Sequence, residues 1–419
     1  MDVKPGYKMT EVGVIPEEWQ SIQLAQLGLF TKGQGIRKDE ASSGSIPCVR
    51  YGEIYTHHNE IIRTYNSFIS ATVAKTSKRL TQGDILFACS GETKQEIGKA
   101  VAFIDESEVY AGGDIVILSP KSVNSQFLGY ALNSAQVNRL KASRGQGDAV
   151  VHISSSAIRA IALAIPPLPE QRAIASALSD VDALIESLDA VIAKKRDIKQ
   201  ATMQQLLTGV TRLPGFEGEW EVKRLGELGR TYGGLTAKTK DDFGYGEAQY
   251  ITFLNVMTNV VVDCNIFENV RVSASECQNR VLKGDLLFNG SSETPDEIAM
   301  CCLMLEVVEN LYLNSFCFGF RLHNDQDVDG LFLSYYLRAQ PGRELLKALS
   351  QGSTRYNLSK ISFLNALIRL PSKSEQTAIA TVLSDMDAEI EALEARRDKT
   401  KLLKQGMMQE LLTGMTRLV

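Results

Sequence analysis

Ile174, Leu178, Val181, Ile185, Leu188 and Ile192 follow one another at alternating spacings of four and three, with charged and small residues between them. That is the a/d seam of a coiled-coil helix. The pattern returns 205 positions later as Ile379, Leu383, Met386, Ile390 and Leu393, and the next seam position is Arg397. A charge there ends the strict seam and predicts that the pairing loosens or changes register. Beyond it both stretches regain apolar residues, Ile198, Met203, Leu206 and Leu207 in one, Leu402, Leu403, Met408 and Leu411 in the other. Pro169 suits a first helical turn, Ser372 and Glu375 have capping-box spacing, and Gly209 and Gly414 fit the position just past a helix end. The span from 171 to 208, about 38 residues, predicts a rod of roughly 55 Å. Two narrow seams in one chain are best satisfied by packing on each other, and a two-fold relation requires them to run antiparallel. A sustained seam argues against each helix packing only on its own globular domain.

The helical pattern is the strongest part of a duplication that spans the chain, a signal that decides architecture. Glu170-Gln171 through Thr211-Arg212-Leu213 recurs as Glu375-Gln376 through Thr416-Arg417-Leu418. At an offset of 201, Trp19 and Leu24 return as Trp220 and Leu225, and Gly83-Asp84-Ile85-Leu86-Phe87 returns as Gly284-Asp285-Leu286-Leu287-Phe288. Ser90, Glu92 and Thr93 return as Ser291, Glu293 and Thr294; their recurrence in otherwise different domains argues for a common backbone turn. Elsewhere the halves diverge. The expected architecture is α/β: two α/β domains, 1–168 and 214–373, with helical spacers at 169–213 and 374–419 forming an antiparallel coiled-coil pair with internal pseudo-two-fold symmetry. The last helical turns agree outside the seam, which predicts a second surface offered by both halves to one shared partner. The runs Lys194-Lys195-Arg196-Asp197 and Arg396-Arg397-Asp398-Lys399 read as a wetted helix face.

Composition narrows the class. A chain of 419 residues exceeds one core, and the repeat resolves it into two domains of roughly 165 residues each. No apolar run approaches the ~18 residues that cross a bilayer, and Met1-Asp2-Val3-Lys4-Pro5 lacks a signal peptide's apolar stretch, so a cytosolic protein is expected. Seven cysteines without a Cys-x-x-Cys pair, and an isolated His57-His58 doublet, suggest neither disulfides nor a metal site. The net charge of −5 leaves room for nucleic acid, because phosphate binding requires a local basic face rather than a basic average.

At Pro166-Pro167-Leu168-Pro169-Glu170-Gln171-Arg172-Ala173-Ile174-Ala175, continuing through Leu178-Ser179-Asp180-Val181-Asp182, the chain resembles the specificity subunit of type I restriction-modification systems. Gly13-Val14-Ile15-Pro16-Glu17-Glu18-Trp19 and the Gly-Asp-x-Leu-Phe segment resemble that family's other signatures. The second copy departs from the proline-rich stretch, with Pro371-Ser372-Lys373-Ser374 in its place. The resemblance implies a non-enzymatic subunit in which each variable domain reads one half of a split duplex DNA target. It also implies that the helices set the spacing and that two methyltransferase subunits dock on the helical body. S-adenosylmethionine, ATP and magnesium then belong to modification and restriction partners. Two unlike readers imply an asymmetric target.

The residues themselves supply no convincing active site. Gly91 and Gly98-Lys99-Ala100 are separated by six residues where a phosphate loop has four, and Ala100 stands where a magnesium-binding hydroxyl belongs. Gly33-Gln34-Gly35 and Gly233-Gly234 read as turns, and no Asn-Pro-Pro-Tyr or Asp-Pro-Pro-Tyr stretch is present to hold a flipped adenine. Candidate DNA contacts follow from side-chain chemistry alone. They are Arg37, Lys38, Lys75, Lys78, Arg79, Lys94 and Arg144 in the first domain, and Lys238, Lys240, Arg280, Asn289, Ser292 and Arg355 in the second. The loops Arg144-Gly145-Gln146-Gly147-Asp148 and Ser350-Gln351-Gly352-Ser353-Thr354-Arg355 either contact phosphate or simply turn the chain. Removing everything from Gly215 onward is expected to abolish specific binding unless the truncated chain dimerises. Two rival readings, a coiled-coil scaffold with protein-binding domains and a self-sufficient enzyme, are separated by the salt dependence of binding and by a methyl-transfer assay.

Overall fold

Each copy of the Gly-Asp-x-Leu-Phe segment becomes the start of an interior strand. In the computed structural model, which describes residues 4–147, 149–324 and 327–418, Gly83 and Gly284 have φ of +96° and +88°. Asp84 and Asp285, both buried, accept the amides of Thr81 and Leu282 at 2.8 Å and close the turn. Met1, Asp2, Val3 and Asp148, considered above, lie outside the described residues.

The chain divides into two units, Met1–Asp189 with Ala395–Val419, and Ala190–Glu394. Both divisions fall inside the long helices Leu168–Leu206 and Lys373–Leu411. Each unit therefore contains one α/β domain, the first part of its own long helix and the last part of the other copy's.

In the first unit an antiparallel sheet has the order Ala100–Ala102, Ile85–Ala88, Ile115–Pro120, Gly28–Lys32. Ile85 and Phe87 face a core shared with Trp19, Phe127 and Tyr130, whereas Leu86 and Ala88 face a second core with Val49, Ile54 and Ile117. This alternation buries both faces of the strand. Beside it lies a mixed sheet ordered Ser67–Ile69, Ile46–Val49, Tyr110–Ala111, Lys78–Arg79. Strand Gln20–Gln23 pairs with Ala162–Ile165 immediately before the long helix and so ties the start of the domain to its end.

The second unit repeats the plan. Its antiparallel sheet is ordered Gly229–Gly233, Cys317–Leu322, Leu286–Asn289, Cys301–Leu303, and its mixed sheet Glu268–Val270, Phe243–Ile251, Leu311–Leu313. Glu221–Arg224 pairs with Leu367–Leu370 as the closing ribbon. The α/β class and the internal repeat are as expected.

The seam is buried. In the first unit Ile174 and Leu178 share a core with Trp19, Leu411 and Leu412; in the second Ile379 and Leu383 share one with Leu206 and Leu207. The start of each helix thus packs against the end of the other, the antiparallel arrangement. Leu188, Ile192 and Ile390 are buried, and Val181, Ile185, Met386 and Leu393 half-buried. The expectation at Arg397 is corrected. Arg397 is half-buried and pairs with Asp189 at 3.4 Å, and seven residues on Lys404 pairs with Asp182, seven residues back. The register continues unchanged, because a long cationic side chain can lay its stem along the seam and reach a carboxylate on the facing helix. Ile198, Leu402 and Leu403, expected to rejoin the packing, are exposed; Met203, Leu206, Met408 and Leu411 rejoin it.

Candidate nucleic-acid interface

Three candidate contacts sit on the mixed sheet of the first unit or beside it. Lys78 and Arg79 form its edge strand, and Lys75 ends the short helix Ala71–Ala74 that precedes it. The segment carrying Arg37 and Lys38 comes to the same place. Ile36 packs with Ala74, Cys48 and Ile69, and a Cβ at Gly35 would lie 3.0 Å from the Ser77 hydroxyl. Two clusters separated by almost forty residues therefore make one patch of five cations. Arg37, Lys38, Lys75 and Arg79 are exposed and Lys78 half-exposed, and among the described residues none of the five has an ion-pair partner. Their field is free to act on an incoming anion.

Lys94 is exposed on the turn after Ser90–Gly91, whereas Arg144 is half-buried and donates to the Ala157 carbonyl at 2.9 Å. The loop that follows turns the chain. Gln146 and His152 exchange backbone hydrogen bonds, and Gly147 takes φ of +107°. The recurring polar turn is internally bonded. The Thr93 and Thr294 hydroxyls donate to Glu96 and Glu297, and Ser90 and Ser291 are buried.

In the second unit the residue 201 positions after Arg37 is Lys238, and the residue 201 after Lys75 is Glu276. These two form an ion pair at 2.5 Å, with the Lys238 side chain 4% exposed and its ammonium also donating to the Arg271 carbonyl. Hydrogen bonds from Lys238 and from the Ser273 amide hold the Glu276 carboxyl down at about 2. Lys240 and Arg280 are exposed. Asn289 is fully buried, its amide bonded to the carbonyls of Ser291 and Glu297 and to the Met300 amide, so it shapes the strand end. Ser292 and Arg355 line one concavity with Phe253, Met257 and Thr354. Arg355 is exposed, lies over the Phe316 ring at 5.2 Å, and has no ion-pair partner among the described residues.

Part of the agreement of the last helical turns is used inside the molecule. In the first unit Arg417 donates to both oxygens of the buried Glu170 at 2.6 and 2.8 Å, and Trp19 Nε1 donates to the same carboxylate at 3.0 Å. In the second, Arg212 clasps the buried Glu375 in the same two-pronged way. Gly209 and Gly414, both at φ of +72°, pass close to Trp220 and to Pro16 and Trp19; a Cβ would crowd Trp220 at 3.1 Å in the first case and collide with Pro16 at 2.6 Å in the second. Ser372 caps the second helix by accepting the Glu375 amide, and the Glu375 carboxylate goes to Arg212 instead of completing a capping box. Each copy's helix end is thus the buttress of the other copy's helix start.

Sequence reasoning passed over a second repeated tie, formed by Tyr130, Asp182 and Lys404 in the first unit and by Tyr335, Asp387 and Lys199 in the second. The signal was present, since all three residue types recur at an offset of 205. Among the described residues no group of three or more His, Cys, Asp or Glu could hold a metal, and no helix is long and apolar enough to cross a membrane.

The family model described as type I restriction modification DNA specificity domain matches residues 16–194 and again 217–402. The type I restriction enzyme MjaVIII specificity subunit of Methanocaldococcus jannaschii is 25% identical, over 96% of this chain and 94% of its own length. The EcoKI specificity subunit of Escherichia coli is 22% identical, over 96% and 89%. The crystal structure of a type I restriction-modification S subunit from M. genitalium superposes with a TM-score of 0.58 at 14% identity, covering 98% of both chains, a likeness of fold.

Proposed function

The chain belongs to the type I restriction modification DNA specificity family, and on that premise we propose that it recognises an asymmetric two-part target in duplex DNA, one part for each α/β domain, and carries two modification subunits. As a specificity subunit it is a DNA-recognition component and not a catalyst. Transfer of a methyl group from S-adenosylmethionine, and the ATP- and magnesium-dependent work of restriction subunits, are assigned to those partners.

The observation that carries this reading is the contrast between frame and surface. The order of the antiparallel sheet, the closing ribbon, the clasp and the tie are the same in both units, while among the described residues the exposed unpaired cations differ in number and placing: five around the mixed sheet of the first unit, Lys240 and Arg280 beside that of the second, and Arg355 in a concavity of the second. One frame carrying two unlike polar surfaces suits two unlike half-targets. For the partners, apolar residues stay exposed at matching positions of the two copies, Ile198 with Leu403 and Val210 with Met415. Equivalent apolar positions suit two copies of one partner.

The test is the salt dependence of duplex DNA binding by the full chain. A steep linear fall of log affinity with log salt is expected, and replacing Arg37, Lys38, Lys75, Lys78 and Arg79 together by Gln should flatten it by about 0.9 for each phosphate that is no longer neutralised. Binding indifferent to salt in the unaltered chain would point to a protein-binding scaffold.

A further inference from the structure

Each unit ties its α/β domain to the long helices through one phenol, one carboxylate and one ammonium. In the first, Tyr130 on helix Ser125–Ala131 donates to Asp182 Oδ2 at 2.6 Å, and Lys404 from the other copy's helix reaches Asp182 Oδ1 at 2.7 Å. The Lys404 ammonium also lies over the Tyr130 ring at 5.5 Å. In the second, Tyr335 on helix Gly330–Arg338 donates to Asp387 Oδ2 at 2.6 Å, Lys199 pairs with Asp387 Oδ1, and the ammonium lies over the Tyr335 ring at 5.5 Å. Three residues from three separate segments have kept their identities and their geometry. Asp182 and Lys404 lie within the repeated helical stretch, but the residues beside the tyrosine on the α/β domain have changed, as Gly129 and Ala131 against Ser334 and Tyr336 show.

Packing alone does not require this. Helix seams need apolar residues, and a fully buried tyrosine could be phenylalanine were its hydroxyl idle; Tyr130 and Tyr335 are 0% and 2% exposed. What a hydroxyl adds is position. A slide of the domain by one residue along the helix is about 1.5 Å, enough to break a bond of this length. The carboxylate is itself fixed from the opposite helix, so domain, own helix and partner helix lock at one point.

We propose that this tie sets the angle at which each α/β domain is held on the helices, and so the length of the gap accepted between the two half-targets. Tyr130, Asp182, Lys404, Tyr335, Asp387 and Lys199 are positioning residues, and the inference rests on the reading of the chain as a reader of a two-part target. Among the described residues, further ion pairs to the carboxylate and ammonium of the tie occur in the first unit only. There Lys404 also pairs with Glu60 at 2.7 Å, and Arg63 pairs with Glu186 at 2.9 Å and reaches Asp182 at 3.7 Å. The counterparts of Glu60 and Arg63, 201 positions on, are Val261 and Cys264. Loosening should therefore be greater when the second tie is cut.

The experiment expresses the full chain with its modification partner in cells and reads gap lengths from a genome-wide map of methylated adenines. For Tyr335→Phe, which keeps the ring, we expect sites with a gap one base pair longer or shorter to appear, about a tenfold fall in gap preference. Tyr130→Phe should show less. Asp387→Asn is the second variant, keeping shape while releasing Lys199. A merely structural role would lower total methylation or thermal stability with the gap unchanged, and that result overturns the inference alone. An unaltered complex whose modified sites show no two-part pattern overturns the underlying reading and the inference together.

Discussion

At matching positions around the mixed sheet, the first unit carries Arg37, Lys75, Lys78 and Arg79, and the second carries Lys238, Glu276, Asn279 and Arg280. The first set is a field of unpaired cations; in the second, Lys238 and Glu276 neutralise each other. Three strands beneath keep the same order, with the same parallel pairing of Ile46–Val49 with Tyr110–Ala111 and of Phe243–Ile251 with Leu311–Leu313, while the edge strand Lys78–Arg79 has no counterpart among the described strands of the second unit. The difference shows how one fold supports two unlike polar surfaces: polar groups at its rim are exchanged while the buried ties that hold it are kept. Some interior positions also change residue without changing role. The last turn of helix Tyr51–Thr56 presents carbonyls that Lys99 caps, through Tyr55 and His58; the equivalent helix Phe253–Thr258 is capped by Arg338, through Val256, Met257 and Asn259. The cation comes from the residue before strand Ala100–Ala102 in one unit and from the end of helix Gly330–Arg338 in the other, because helix-end carbonyls favour a positive donor from any direction.

The largest effect on the comparison comes from cutting the clasps. Arg417→Ala and Arg212→Ala each leave a buried carboxylate without its counter-charge, which costs about 3 to 5 kcal/mol. The two should differ. Glu170 keeps the Trp19 indole hydrogen bond, whereas Trp220 Nε1 finds no partner among the described residues, so Glu375 loses more. We expect Arg212→Ala to be the costlier by about 1 kcal/mol. Denaturant unfolding followed by tryptophan fluorescence measures it, with one tryptophan in each unit. Equal losses would mean that the indole bond contributes nothing to the clasp.

Much of the frame was legible in the chain itself. The seam, the offset of the repeat and the antiparallel pairing all follow from local apolar periodicity, which burial then obeys residue by residue from Ile174 to Ile192. The patch was legible only in pieces. Nothing in sequence brings Arg37 beside Lys75, because packing of Ile36 on Ala74 is a tertiary event. Lys238 and Asn289 looked available for the same reason in reverse; their partners Glu276, Glu297 and Met300 are neighbours only in the fold. The agreement of the last helical turns was visible, but part of its cause was hidden, since a residue kept for the opposite helix looks the same as one kept for another protein. Arg397 departs from the expectation because a charge at a seam position does not interrupt the seam when its long stem stays in register.

A smaller effect, with its own pH signature, separates the interiors. Lys141 is 1% exposed and donates to the carbonyls of Gly98 and Leu132; its counterpart 205 positions on is Leu346, also buried. Burial pushes the Lys141 ammonium down to about 7, with the nearby Lys99 charge acting in the same direction. The unfolded chain, with an ordinary lysine near 10.4, therefore binds more protons than the folded one between about pH 7 and 10. The destabilisation from burying this charge is fully present below about pH 7 and is relieved as pH rises through that window. Relative to Lys141→Leu, the unaltered protein should gain stability above pH 7, on the order of 1 kcal/mol per pH unit. Thermal unfolding of both proteins from pH 6 to 9 measures it, and a pH-independent difference would show that the ammonium is not desolvated.

The smallest change in stability should accompany the sharpest test of the surface contrast. Lys75→Glu gives the first unit the charge arrangement of the second, placing a carboxylate where Arg37 can meet it as Lys238 meets Glu276. Exposed pairs contribute about 0 to 1 kcal/mol, so the midpoint of unfolding should hardly move. DNA binding should respond more strongly, because one substitution removes a cation from the patch and engages a second. Leaving two phosphates without their cations would lower the slope of log affinity against log salt by about 1.8. The reciprocal Glu276→Lys removes the counter-charge of the nearly buried Lys238 and adds a cation at the rim, and should steepen the slope at a cost in stability. If both variants bind with the slope of the unaltered chain, the mixed-sheet patch lies away from the DNA and Arg355 with its concavity becomes the surface to pursue. If the two slopes move in opposite directions, the two domains differ in electrostatic grip, and the unlike reading of two half-targets has a physical basis in which positions around one common sheet are left without a counter-charge.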